Sequence, residues 1–490
     1  MQQRVFGLET EYGCLVRDNS LGPPEAVVET VKDYVFYEKQ LGLIDLHARN
    51  YAFEPARSGG FLLNGGRLYV DAVGDHQEYA TPECVNFFDL VAYDKAGQRI
   101  LQDTINEIGL QDSVGFYNNS VDHFGGHTFG CHENYLVNLE DYQGRRALAY
   151  LLPFLVTRQI FAGAGRVGGH RLNSRDFRNN VMEVGDHEVD YIWVYDIYGV
   201  EIDKTVQYQL SQRADHILHA VSSRVRFNRA IINPKRDSYY DFSNFTRLHI
   251  LFGEANMSEY ATALKIGTTC LALTLLEMRC LPDAVLITDP VRALKGISRD
   301  PRWKWPVRRA DGTGIGAVDL QRIYLEYAQR YLRGKDFQTD WILREWEATL
   351  DQLEQDPMQL ANRLDWVAKL ELLRTYMEAE GADWQAEVLH SLDLEYHNVN
   401  PEKGLYYALQ DSAAVERVCS DEAIRQAGHT PPANTRAWGR SQVIKELMAK
   451  RHRRYAIDWD AVYVDKDARL YLRDPLHTYE EEAVRFSREL

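Results

Sequence analysis

Four segments of this chain repeat one spacing, in which polar or charged residues alternate with apolar ones. In a β-strand successive side chains point to opposite faces, so residues two apart share a face. In the segment RLYVD at 67–71, Arg67, Tyr69 and Asp71 therefore share one face, while Leu68 and Val70 point to the core. The same spacing recurs in three other segments, which carry Glu9 and Glu11, His132 and Asn134, and Arg247 and His249. If the four strands share one sheet, its polar face is a concave floor of carboxylates and cations.

Such a floor has a definite chemistry. Carboxylates offer the hard oxygen ligands that Mg²⁺ prefers, and arginines beside them bind phosphate oxygens through paired hydrogen bonds. The pattern therefore favours a site for a nucleoside triphosphate with its metal. The alternative is that each polar face meets solvent, as one face of an antiparallel sheet often does. The sequence has no GxxxxGK[ST] loop and no kinase motifs, and GAGRVGG at 163–169 lacks the full dinucleotide fingerprint.

The second half of the chain has the periodicity of helices. Apolar residues three and four apart predict helices over 258–280, 320–333, 341–355 and 358–379, after one earlier helix over 88–110. Together with the strands of the first half, this predicts an α+β fold. We expect a large domain over 1–412, with an insertion on the sheet at 170–207, and a small C-terminal domain over 413–490.

Composition argues against several partners and environments. The 56 Lys and Arg residues against 72 Asp and Glu residues give a net charge of −16, which disfavours duplex nucleic acid as a partner. The six cysteines form no CxxC pair, which indicates reduced thiols in a cytoplasm. No apolar run reaches the ~20 residues that a membrane span needs. Two basic stretches, 302–309 and 450–454, are either solvated surface or docking patches for an acidic partner.

Ten motifs, in order along nearly the whole chain, carry a family resemblance: GLETEYG at 7–13, NGGRLYVD at 64–71, HQEYATPEC at 76–84, GCHENYL at 130–136, LPFLVTR at 152–158, QLSQRA at 209–214, RLH at 247–249, NMSE at 256–259, LDWVAK at 364–369 and PPANTR at 431–436. Jointly they resemble the Pup ligase and depupylase family. The resemblance implies a glutamine-synthetase-like fold, in which a curved antiparallel sheet cradles ATP and Mg²⁺ and is wrapped by helices, with a small C-terminal domain.

The resemblance also implies an activity and its partners. Ligases of this family use ATP to activate the C-terminal glutamate of Pup, a small, acidic and disordered protein modifier. They then join the resulting glutamyl phosphate to a lysine of a substrate protein, which tags that protein for the proteasome. Other members hydrolyse the isopeptide bond or deamidate a C-terminal glutamine.

Residue roles follow from the same resemblance. Glu9, Tyr69 and Glu78 match the metal-site positions of the family. Asp71 matches its catalytic aspartate. The positions that contact ATP are matched by Arg67, Thr81 and, in the C-terminal domain, Trp459.

The two branches of the family are harder to separate. The segments ETE at 9–11, CHE at 131–133, VSS at 221–223 and NMSE at 256–259 look ligase-like, and the ~50 residues between Gly13 and Asn64 are too few for the longer depupylase loop. In contrast, ISRD at 297–300, LQRIY at 320–324 and KGLY at 403–406 look depupylase-like. We favour the ligase and keep the depupylase as the alternative. A non-catalytic Pup-binding protein is a second alternative. The complete metal and base set argues against it, because binding alone does not need such a set.

Overall fold

The fold is described from a computed structural model of the chain. The structure describes residues 4–49, 52–71, 76–123, 126–138, 145–173, 199–222, 229–233, 245–465 and 468–490. Within these ranges no helix combines the length and the apolar surface that crossing a lipid bilayer requires.

The strands, in chain order, are β1 (Phe6–Val16), β2 (Gly42–Arg49), β3 (Ala52–Leu62), β4 (Arg67–Val70), β5 (Gln77–Ala80), β6 (Val114–Tyr117), β7 (Cys131–Asn138), β8 (Arg166–Val167), β9 (His170–Asn173), β10 (Gly199–Ile202), β11 (Tyr208–Gln209), β12 (His219–Val221), β13 (Ala230–Asn233), β14 (Phe245–Ile250), β15 (Pro306–Arg308), β16 (Gly314–Gly316), β17 (Tyr455–Ile457), β18 (Ala461–Val464) and β19 (Ala468–Tyr471).

The α-helices, in chain order, are α1 (Pro24–Asp33), α2 (Phe87–Glu107), α3 (Arg145–Thr157), α4 (Gln159–Ala162), α5 (Glu259–Glu277), α6 (Pro290–Ser298), α7 (Ala317–Leu332), α8 (Phe337–Gln355), α9 (Asp365–Glu380), α10 (Val388–Tyr396), α11 (Leu405–Asp411), α12 (Asp421–Ala427), α13 (Ala437–Ala449) and α14 (Glu480–Glu489).

One large open sheet organises the molecule. Its strands run in the order β12-β13-β14-β7-β1-β5-β4-β3-β2, and β6 pairs with the far end of β1. The predicted α+β fold and the shared sheet are therefore confirmed. The described strands pair antiparallel along this sheet, as the resemblance implies, except that β12 and β13 at one edge run parallel.

Helices cover one face of this sheet and form the main core with it. The most buried of them is α5, whose apolar residues extend around the helix and whose N-terminus is capped by the Ser258 side chain, which accepts a hydrogen bond from the Ala261 N–H. The five predicted helices correspond to α2, α5, α7, α8 and α9. Helix α9 begins at Asp365 rather than at residue 358, because residues Pro357–Leu360 form a short 3₁₀ turn instead.

The C-terminal segment has a core of its own. Val443 and Ile444 of α13 pack with Val462 of β18 and Phe486 of α14, and Phe61 of the large sheet completes this cluster. Helix α12, in contrast, packs into the main core. The boundary at 412/413 stays a prediction. Most of the predicted insertion, residues 174–198, lies outside the described residues, while its ends β9 and β10 pair as antiparallel strands.

Candidate active site

Strands β1, β5 and β4 lie side by side and bring predicted site residues onto one face of the sheet. The register places Glu9 and Arg67 opposite the same residue of β5. Two positions further along, Glu78 lies between Glu11 and Tyr69. Residues directly opposite one another on neighbouring strands share a face. The alternation seen in the sequence therefore builds a continuous polar floor, as predicted.

The carboxylates of this floor gather around His132 of β7. Glu11, Glu78 and His132 place one possible ligand atom each within 4.8 Å of one another, and Glu9, His132 and His249 do the same. The His132 ring bridges the two groups, with Nδ1 3.6 Å from Glu9 Oε2 and Nε2 3.8 Å from Glu11 Oε1. Glu11 is also held in place by a hydrogen bond of 2.6 Å from the Gly130 N–H.

The electrostatics of these carboxylates show that they crowd one another. Burial and the charges of Glu11, Glu9 and Asp71 raise the pKa of Glu78 well above its usual range. Burial also acts to raise the pKa of Glu9, but its hydrogen bond with His132 and the neighbouring His249 and Arg247 hold it well below its usual range. A carboxylate whose pKa is raised because others lie beside it marks a place where a cation would be stabilised.

The donor set fits Mg²⁺. Glu9, Glu11 and Glu78 supply oxygen atoms from adjacent strands, and a divalent ion would offset the repulsion that raises the pKa of Glu78. Tyr69 supplies a further oxygen: burial and the neighbouring Glu78 raise the pKa of its phenol well above the usual range, so it is a neutral hydrogen-bond partner of Glu78.

Basic and amide side chains border the floor on the β7–β14 side. Asn134 Nδ2 donates to Glu9 Oε1 at 2.9 Å, and Asn134 Oδ1 accepts from Arg247 Nη1 at 2.9 Å. The Arg247 guanidinium lies 3.6 Å from the Glu9 carboxylate, and His249 Nδ1 lies 2.9 Å from Asn134 Oδ1. The sequence pattern placed these residues and His132 on polar faces but gave them no role. The structure brings them to the same carboxylate.

Arg67 is fixed from the opposite side. Its guanidinium forms an ion pair of 2.5 Å with Asp45 of β2 and lies 4.4 Å from the centre of the Tyr69 ring. The Asp45 contact was not predicted, because Asp45 lies beyond β3 in the sheet and belongs to none of the motifs.

A cavity of about 200 Å³ adjoins the Glu9 end of the floor. Its walls include Glu9, Thr81, Arg247 and, from the C-terminal segment, Trp459. Thr81 is locked against β1, since its Oγ1 accepts a hydrogen bond of 3.1 Å from the Leu8 N–H and its own N–H donates to the Leu8 carbonyl oxygen. Two of the three predicted ATP-contacting residues, Thr81 and Trp459, thus line the same cavity as the predicted metal ligand Glu9.

Asp71 lies at the other end of the floor. It follows Val70 on β4, and its N–H donates a hydrogen bond of 2.9 Å to the His76 carbonyl oxygen. Its charge is one of the causes that raise the pKa of Glu78. The order along the strands is therefore cavity, then the Glu9–Glu78 carboxylates, then Asp71.

The basic stretches of the sequence are surface features. Arg302, Lys304 and Arg308 are exposed, while Trp305 and Val307 between them are buried. In the second stretch, Arg453 and Arg454 are both exposed, and Arg454 lies 3.4 Å from Asp465.

The fold and this floor place the chain in the class of α+β enzymes that work on an open sheet lined with carboxylates and basic side chains. Within that class the chain belongs to the Pup-ligase protein family, whose model matches residues 4–463. The family resemblance seen in the motifs is confirmed.

Named relatives span the whole chain. A depupylase of Acidothermus cellulolyticus is 35% identical over 498 residues, which cover 95% of this chain and 92% of that protein. A Pup–protein ligase of Kineococcus radiotolerans is 33% identical over 503 residues, which cover 99% of each.

Two solved structures of a Pup ligase are similar to this chain as well. The ligase PafA in its crystal complex with the prokaryotic ubiquitin-like protein Pup matches with a TM-score of 0.78 and 26% identity, over 99% of this chain and 91% of that chain. PafA in complex with ADP matches with a TM-score of 0.73 and 30% identity, over 88% of this chain and 89% of that chain.

Proposed function

We propose that this protein is an ATP-dependent Pup–protein ligase, which joins the C-terminal glutamate of a Pup-like modifier to lysines of substrate proteins. The observation that carries the proposal is the unbroken row from the cavity through the carboxylates to Asp71, in a chain that matches a Pup–protein ligase over 99% of both lengths. Such a row provides, in order, a place for a nucleotide, a place for its metal and a base.

In this proposal ATP lies in the cavity, with its base against Trp459 and with Thr81 and Arg67 contacting the nucleotide. Glu9, Tyr69 and Glu78 would hold Mg²⁺, and Glu11, two residues along β1, would join them. When bound, the ion neutralises charge on the phosphate oxygens. Arg67 adds a fixed positive charge, because its pairing with Asp45 keeps the side chain in one orientation.

The reaction then has two steps. The γ-phosphoryl group moves from ATP to a carboxylate of the modifier's C-terminal glutamate, which gives ADP and a glutamyl phosphate. The lysine amine attacks the acyl carbon, so the C–N bond forms and the C–O bond to phosphate breaks. A lysine amine is mostly protonated at neutral pH, so a nearby base must take its proton. Asp71 is that base, next to the carboxylate cluster and away from the cavity.

The partners follow from this chemistry. They are a small acidic disordered modifier, which folds onto a groove as it binds, and lysine-bearing proteins destined for the proteasome. We place the enzyme in the cytoplasm, with no nucleic acid or membrane among its partners.

Depupylation is the second candidate, and a specific observation favours it: the depupylase of Acidothermus cellulolyticus is 35% identical to this chain. On the same floor, Asp71 would act as the nucleophile or would orient a water molecule during hydrolysis. A non-catalytic Pup-binding protein is disfavoured, because binding alone does not require the complete set of carboxylates with Arg67.

One experiment separates these functions. The protein is incubated with ATP, Mg²⁺, a Pup-like modifier ending in glutamate and a lysine-bearing protein, and mass spectrometry records the mass added to lysine. In parallel, a purified conjugate is incubated with the enzyme and its cleavage is followed. Conjugation supports the ligase, and cleavage without conjugation supports the depupylase. If the protein binds the modifier but catalyses neither reaction, the binding protein is supported.

A further inference from the structure

One buried arginine connects the C-terminal segment to the wall of the cavity. Arg440 of α13 is fully buried. Its guanidinium donates to the two carboxylate oxygens of Glu83, at 3.1 and 2.6 Å. It also donates to the carbonyl oxygens of Gly65, at 2.7 Å, and of Trp459, at 2.8 Å. One side chain thus joins the connection after β5, the turn before β4 and the residue that lines the cavity.

The same guanidinium also faces two aromatic rings. Its carbon lies 4.9 Å from the centre of the Trp459 ring and 5.1 Å from the centre of the Phe61 ring. The two rings meet edge to face, with centres 5.1 Å apart and planes at 79°. Trp459 lies in a short loop between β17 and β18 and packs, partly buried, against the core cluster of the C-terminal segment. Arg440 and Phe61 hold that ring while part of it lines the cavity.

We propose that Arg440 is a positioning residue for the nucleotide: anchored on Glu83, it sets the Trp459 ring against the base. The inference rests on the proposed function, in which Trp459 contacts ATP. It adds that the nucleotide and the docked C-terminal segment stabilise each other. Because linkage is reciprocal, the factor by which docking tightens nucleotide binding equals the factor by which the nucleotide tightens docking.

Arg440→Lys is the sharpest test. Lysine keeps the charge but has neither the planar group that stacks on rings nor the fork that binds two carboxylate oxygens. We expect the dissociation constant of Mg-ADP, measured by calorimetry, to rise by roughly 5- to 100-fold, the range for a lost aromatic contact with a base. The turnover rate at saturating ATP should stay within about threefold of wild type, because the lost interaction is one of ground-state binding.

Two further variants show whether Arg440 acts through Trp459. Trp459→Ala should weaken Mg-ADP binding, and adding Arg440→Lys to it should weaken binding no further, since residues that act as one unit are not additive. The matched control is Arg322→Lys, because Arg322 also contacts two carboxylates, Asp351 and Glu354, on an exposed helical surface. This control should bind Mg-ADP like wild type.

The outcomes are distinct. If Trp459→Ala weakens binding and Arg440→Lys does not, the positioning role is wrong and the proposed nucleotide site stands. If the two effects add in the double variant, the positioning role is also wrong. If Trp459→Ala leaves binding unchanged, the placement of the base is wrong and this inference fails with it.

A second route covers the case in which Arg440→Lys does not fold. Phe61→Leu removes the ring edge behind Trp459 while keeping an apolar side chain of similar size. It should raise the Mg-ADP dissociation constant in the wild-type background and have no further effect in the Trp459→Ala background. Unchanged affinity in Phe61→Leu would overturn the proposal.

Discussion

Glu83→Gln is expected to loosen the attachment of α13 to the large sheet by about 3.5 kcal/mol. Burial acts to raise the pKa of Glu83, but Arg440 and Arg436 lower it from 4.5 to about 2. At ~1.4 kcal/mol per pH unit, this lowering by about 2.5 corresponds to ~3.5 kcal/mol of interaction with the charged form. Glutamine keeps the shape and one acceptor but leaves two buried arginines facing a neutral group.

Hydrogen exchange reports this change region by region. In peptides covering α13 and β17–β19, exchange at neutral pH should be on the order of 300-fold faster in Glu83→Gln, since every 1.4 kcal/mol is tenfold. Peptides from α8 should be unchanged. The control is Glu354→Gln, which removes one exposed partner of Arg322; its effect should stay below about 1 kcal/mol, as for other surface ion pairs.

The pH dependence checks the same reasoning. A carboxylate whose pKa is lowered in the folded state contributes its stability above its ordinary pKa and loses it as the pH falls through the folded value. The difference in hydrogen-exchange rate between Glu83→Gln and wild type should therefore be largest at neutral pH. It should shrink as the pH falls from about 4.5 towards 2. If the two proteins exchange at the same rate at neutral pH, or if the difference in rate persists undiminished at pH 2, the assigned role of the Glu83 charge is wrong.

Four further expectations concern the site and its surface. Glu9→Ala should abolish Mg²⁺-dependent ATP binding in calorimetry with an unchanged circular dichroism spectrum; retained affinity would remove Glu9 from the metal site. Trp459→Ala should raise the KM for ATP by roughly 5- to 100-fold without unfolding the large domain, whereas melting of the C-terminal segment alone would make Trp459 a core residue. Asp71→Asn should keep ATP binding and lower isopeptide formation by on the order of 10²–10⁴; a parallel loss of Mg-ATP binding would show that Asp71 serves the metal. Reversing the charges of Arg453 and Arg454 should slow modifier association at low salt in stopped-flow experiments, and no effect would exclude this patch as the docking surface.

Much of the floor could be predicted from sequence because strand alternation is a local property. Once RLYVD is a strand, Arg67, Tyr69 and Asp71 must share a face, whatever the rest of the chain does. The same holds for Glu9 and Glu11. Glu11 was left out of the predicted metal set although its spacing placed it there, because the resemblance assigned that role to Glu9. The strand register adds the missing information, because it places Glu11 directly opposite Glu78.

Contacts between distant segments could not be predicted in this way. Glu83 and Arg440 are 357 residues apart, and no periodicity links them. The pairing of Arg67 with Asp45 depends on the order of strands in the sheet, which the sequence pattern leaves open. The parallel pairing of β12 with β13 is a further case, since both strands are short and no periodicity of the sequence fixes their relative direction at this edge of the sheet.

The cavity draws its walls from both ends of the chain, from Val5 to Pro475. During synthesis on the ribosome the residues of β1 emerge well before those of the Trp459 loop. At translation rates of ~5–20 residues per second, roughly 20 to 90 seconds separate these two events. A nascent chain therefore carries the carboxylates of β1 long before it can complete the cavity beside them, which has to wait for the Trp459 loop.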